Sequence, residues 1–183
     1  ISLSGEIEQR FSQASLHFDR TLFTVAGEYA VKDYLNVGAG FRTLVLQDRE
    51  SRPHVRYRIH ADATGFHAFS STELSLRLRF QYGFEDILYI GYFSQNNFIS
   101  RQRLKVSHHI FGTRIGVLAS VENWIRFNDP YGRPFFKIRF TTGAQYNLSM
   151  HSRIGIRYIF EHEFNRVYPT QYHILALSYS YRF

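Results

Sequence analysis

The side chains that could do chemistry here are histidines, carboxylates and hydroxyls. The chain has no cysteine, and so no thiolate nucleophile, thiolate metal site or disulfide framework. His60 and Asp62 stand two residues apart and share one face of an extended segment. With a serine they would supply the residue types of a hydrolytic triad, but a triad is defined by geometry. Metal binding has less support. In Glu161-His162-Glu163 the histidine points away from both carboxylates in a strand, and His108-His109 splits across two faces, so neither run clusters ligands. No catalytic, cofactor-binding or metal residues are assigned, no cofactor is expected, and the chain is expected not to be an enzyme.

Charge is the larger chemical resource. The 183 residues carry 22 Lys and Arg against 15 Asp and Glu, a formal charge of +7, and 17% are aromatic. A basic, aromatic chain suggests nucleic-acid binding. Its bases, however, occur singly along the whole length and alternate with apolar residues, so no nucleic-acid partner is expected. Glu73, Arg77, Arg79, Glu122, Arg139, Arg157 and Glu161 lie on the polar side of this alternation.

The elements that must carry these charges are strands. Leu74, Leu76, Leu78, Phe80 and Tyr82 alternate with Glu73, Ser75, Arg77, Arg79 and Gln81, and the same period recurs near Phe140, Tyr158 and Leu177. In a strand the two sets face opposite sides, whereas a helix would scatter them around its cylinder. Ten such segments are read, at 1–11, 21–31, 34–46, 54–65, 70–83, 101–110, 113–126, 134–147, 150–164 and 171–183. Most reach the roughly 9–11 residues of a tilted membrane-spanning strand. No run approaches the roughly 18 apolar residues of a membrane helix.

The connections alternate strictly. Lys32-Asp33, Phe66 to Phe69, Phe111-Gly112 and Asn147 to Ser149 are short, and the intervening ones are longer and polar. A transmembrane barrel has that pattern of tight periplasmic turns and longer external loops. The expected fold is all-β: one domain over residues 1–183, a closed antiparallel transmembrane β-barrel of about ten strands with a polar, Arg/Glu-rich lumen. Eight or twelve strands stay open, because 84–100 carries an alternating stretch of its own. An even strand number places both termini on the periplasmic side. No export segment is visible; the expectation is that it has been removed.

The faces are assigned by cost. A charge facing hydrocarbon at the midplane of a barrel costs about 2–4 kcal/mol, so the charged set points inward. A lumen of eight to ten strands is narrow and is normally filled by side chains. The favoured reading is a salt-bridged plug, in which Arg77, Arg79, Arg139 and Arg157 pair with Glu73, Glu122, Glu161 or neighbouring carboxylates. The sharper reading is a basic, anion-selective path, supported by the excess of bases.

The strings Lys137-Ile138-Arg139-Phe140 and Gly143-Ala144-Gln145-Tyr146-Asn147, with the closing run from His173 to Phe183, resemble a family of small outer-membrane barrels described only as a domain of unknown function. Gly38-Ala39-Gly40-Phe41-Arg42 is similar to the same family, and residues 84–100 depart from it most. The resemblance implies outer-membrane localisation and fold, and no chemistry. Leu177, Tyr179, Tyr181 and Phe183 also resemble the C-terminal insertion signal of such barrels, an aromatic end preceded by alternating apolar residues.

A closed barrel has no free sheet edge, so a protein partner must dock on its loops. Ile87, Tyr89, Tyr92, Phe93 and Phe98 are the candidates, since exposed aromatic clusters mark contact sites. The functional expectation is therefore a non-catalytic outer-membrane barrel serving as a scaffold or accessory subunit of a larger assembly, with an envelope protein as partner beside membrane lipid and lipopolysaccharide. A narrow anion-preferring channel is the alternative, and an enzyme acting on lipids or peptides the second.

Overall fold

The computed structural model describes residues 1–12, 17–47, 53–85, 97–127, 134–165 and 171–182. They form ten strands: β1 (Ser2–Ser12), β2 (His17–Lys32), β3 (Leu35–Gln47), β4 (Pro53–Phe69), β5 (Thr72–Glu85), β6 (Asn97–His109), β7 (Ile115–Arg126), β8 (Phe135–Asn147), β9 (Ser152–Glu163) and β10 (Gln171–Arg182). Each pairs antiparallel with its neighbours in sequence, and β1 pairs with β10 from Ser4–Arg182 to Ser12–Ile174, closing the barrel. The short connections lie at one end, here the turn end, and the longer ones at the other, the loop end.

Period-2 alternation sets which residues face out. Leu76, Phe140 and Tyr158 are 60%, 48% and 46% exposed, as a lipid-facing wall requires and a two-sheet sandwich forbids. Glu8, Arg79, Arg101, Glu122 and Glu161, on the opposite parity, are buried.

Several strands run past the expected ends. β4 continues through Phe66, whose amide donates to the Tyr34 carbonyl across the β2–β3 turn (3.0 Å), so the turn is Ser70-Ser71, with Ser70 at positive φ. β6 begins at Asn97 and not at 101, because Phe98 stacks on Phe80 of β5 and Ile99 joins the interior. Residues 110–114 connect β6 to β7 through Gly112, at φ 73°, where a side chain would be strained.

Gly143 has a different reason. It faces Arg157 on β9, and a Cβ there would lie 2.5 Å from the Ile156 carbonyl oxygen and 2.9 Å from Arg157 Cγ. A main-chain atom cannot swing aside as a side chain can, so Gly143→Ala must part β8 from β9. We expect a loss of about 1–3 kcal/mol, the usual cost of overpacking. It is read as a lower temperature for the gel-shift between folded and unfolded barrel. An unchanged temperature would show that the two strands yield freely.

Candidate functional site: the barrel lumen

The barrel axis is divided into two zones. Toward the loop end the interior is packed. Ile99, Trp124 and Phe136 form one buried cluster, Ile159, Ile174 and Ala176 with Tyr172 form another, and Leu22 and Leu44 are buried too. Trp124 is the centre of a cationic cage. The guanidinium carbons of Arg101 and Arg139 lie 4.1 and 4.9 Å from its ring centroid, Lys137 Nζ lies 4.7 Å away, and Phe136 meets it edge-on at 6.3 Å. Phe136 reaches inward because the register shifts at Trp124/Ile125, bringing Lys137 opposite Trp124 and Phe135 opposite Ile125. Each cation–π contact contributes about 0.5–2 kcal/mol.

Below this belt the lumen opens into a cavity of about 390 Å³ that extends toward the turn end, to Ser4, Glu28, Arg153 and Ser180. Its lining holds ten cations (Arg10, Arg42, Arg77, Arg79, Arg101, Arg103, Lys105, Arg139, Arg153, Arg157) and five carboxylates (Glu6, Glu8, Glu28, Asp62, Glu122).

Three groups of ion pairs tie this wall. Arg79 grips Asp62 through both carboxylate oxygens, at 2.5 Å each. Glu122 accepts from Arg77 at 2.9 Å and from Arg101 at 2.7 Å, and Arg139 stands 3.5 Å away while also donating to Glu161. Lys137 bridges Glu161 at 3.0 Å and Glu163 at 3.4 Å. Arg157 donates to Glu6 at 2.9 Å and to Glu8, whose other oxygen takes Arg10 at 2.6 Å. Buried guanidinium–carboxylate contacts of this kind offset the desolvation each charge suffers. Among the described residues Glu73, at the turn end, pairs with Lys105 alone, at 3.7 Å and partly exposed.

The catalytic alternative loses its geometry here. His60 Nε2 is 3.9 Å from Asp62, beyond hydrogen-bond distance, and both Asp62 oxygens accept from Arg79 instead. No metal-binding cluster of three or more His, Asp or Glu occurs among the described residues.

The remaining sequence candidates lie elsewhere. Leu177, Tyr179 and Tyr181 face outward on β10, and Phe183 lies outside the described residues. Ile87, Tyr89, Tyr92 and Phe93 lie outside them as well. Phe98 is on the outer face of β6, stacked on Phe80 and tilted against Phe127, where an interfacial aromatic girdle belongs. Sequence reasoning did not single out Trp124 or Arg101. Their signal was parity alone: each is two residues from a charge that faces the lumen.

A model of the family described as protein of unknown function (DUF2490) matches residues 1–172. No curated protein matches the sequence. Among solved structures, the KdgM porin in complex with disordered oligogalacturonate is similar with a TM-score of 0.57 at 9% identity, over 100% of this chain and 99% of that one. The NanC porin gives 0.54 at 12% identity, over 98% of each chain. An outer membrane channel from Pseudomonas putida F1 gives 0.56 at 8% identity, over 100% and 95%. These likenesses are of fold.

The KdgM and NanC porins and the Pseudomonas putida channel share the shape, which overturns the expectation of a scaffold or complex subunit. The physical reason lies in the lumen. A structural plug needs charges that cancel, and this cavity holds twice as many cations as carboxylates.

Proposed function

The chain belongs to the DUF2490 family, and from its lumen we propose that it is a narrow, anion-preferring channel of the bacterial outer membrane. The observation that carries this reading is the unbalanced cavity: ten cationic side chains against five carboxylates around about 390 Å³. Low-dielectric walls of one sign concentrate counter-ions and repel co-ions, so such a bore favours anions. The apolar outer wall meets outer-membrane lipid, with lipopolysaccharide on the loop side, and the turn end faces the periplasm. That a KdgM porin of this fold has been solved with an oligogalacturonate, an acidic saccharide, agrees with an acidic solute in a basic lumen.

The test is the reversal potential of the refolded barrel in a planar bilayer under a tenfold KCl gradient. The expected sign is that of chloride permeation, with the preference shrinking as salt screens the wall. A reversal potential of the opposite sign, or a bilayer that stays silent at every voltage, overturns the proposal.

A further inference from the structure

The lumen wall breaks one rule of sheet construction twice in succession on one strand pair. On β5 and β6, Arg77 stands directly opposite Arg103, and Arg79 directly opposite Arg101. All four line the cavity. Like charges facing each other across an antiparallel pair destabilise it.

The chain itself compensates only part of this. Asp62 neutralises Arg79. Glu122 serves Arg77 through one oxygen and Arg101 through the other. Arg103 faces Glu122 across β6 and β7, but both oxygens of that carboxylate are already occupied. Among the described residues Arg103 makes no ion pair within 4.0 Å and no side-chain hydrogen bond, and its Nε is buried without an acceptor. On the β3 wall of the same cavity, Arg42 donates to the Thr24 hydroxyl at 2.8 Å and has no carboxylate. Nothing in the fold demands arginine at these points, since Ser120 and Thr141 line the same cavity with neutral side chains. A local rule broken with only partial compensation inside the chain marks a candidate functional site.

We propose that the missing partner is a ligand: a small organic anion with two or more carboxylate or phosphate groups, held by Arg77 and Arg103 on one wall and by Arg42 on another. The guanidinium fork matches either oxyanion in two-point contact. The cavity of about 390 Å³ falls within the usual range of small-molecule sites, about 300–1,000 Å³. Because the Trp124 belt closes the other side, the ligand reaches the site from the turn end. The proposal deepens the channel reading of this cavity, and it is tested by binding, without transport.

The experiment is calorimetric titration of the whole barrel, folded in detergent at low salt, with citrate and with pyrophosphate. At least one should bind at one per barrel, with an affinity that falls as NaCl is raised. Citrate alone would identify a carboxylate ligand, and pyrophosphate alone a phosphate. Arg103→Gln and Arg77→Gln should each weaken binding about tenfold or more, the loss of a charge-assisted contact. Arg103→Lys, which keeps the charge and loses the fork, should fall between. Lys32→Gln, at the exposed end of β2, should bind as the parent does.

A second readout separates this role from a structural one. Without ligand, Arg103→Gln should melt at the same temperature or about 1–3 °C higher, because the clash with Arg77 is gone. A lower melting temperature with unchanged binding, or no heat from either probe, overturns the proposal. Binding by a barrel that is silent in bilayers keeps the site and removes the channel, whereas conduction without binding does the reverse.

Discussion

Trp124→Ala is expected to raise single-channel conductance by roughly threefold or more, because it removes the ring that closes a hydrophobic constriction. Trp124 is 5% exposed, packed against Phe136 and Ile99, and ringed by Arg101, Arg139 and Lys137. Removing it connects the cavity below to the loop end. The barrel should weaken by about 3–5 kcal/mol, as buried Trp or Phe to Ala changes do, yet remain inserted. Trp124→Phe keeps an aromatic face for the three cations and should conduct nearly as the parent. Selectivity in the alanine variant should stay anionic, since the ten cations of the cavity are untouched. Equal conductance in parent and alanine variant would mean that the constriction lies elsewhere.

Glu122→Gln is the second large effect, and it falls on stability. Glu122 is 3% exposed and is the carboxylate shared by Arg77 and Arg101, with Arg139 at 3.5 Å. Arg139 keeps Glu161, but Arg77 and Arg101 are left with no carboxylate within 4.0 Å among the described residues. Removing one partner of a buried ion pair costs about 3–5 kcal/mol, because the other charge stays buried and unpaired. The gel-shift temperature should drop by a clear margin, more than for Gly143→Ala. The double variant Glu122→Gln with Arg101→Gln should recover part of the loss, which measures the coupling directly. The single variant should also favour chloride more strongly, since the cavity loses one of its five carboxylates. A parent-like melting temperature for Glu122→Gln would show that the network contributes nothing.

The expected plug and the observed cavity differ for a reason that can be located. Parity places Arg77, Arg79, Arg139 and Arg157 on the lumen side, and all four are there, bonded to Glu122, Asp62, Glu161 and the Glu6–Glu8 pair. Which carboxylate each arginine meets is not a local property. Arg77 and Glu122 are 45 residues apart, and Arg157 and Glu8 are 149 apart. The scaffold reading rested on a lumen filled by paired side chains, and which side chains meet there depends on which ends of the strands share a level along the axis.

The strands, their faces and the alternation of tight turns with longer connections are legible in the sequence, whereas the strand number stays at eight, ten or twelve until the barrel closes. The first three each follow from a short-range rule: a side-chain period of two, the cost of a charge in hydrocarbon, and alternating connection length. Only barrel closure shows that Trp124 packs among Arg101, Lys137 and Arg139, that Arg103 faces Arg77 without an ion pair of its own, and that the cavity lies toward the turn end. Those depend on strand stagger and barrel closure, which bring distant residues to one height on a common axis, and no local pattern encodes that height.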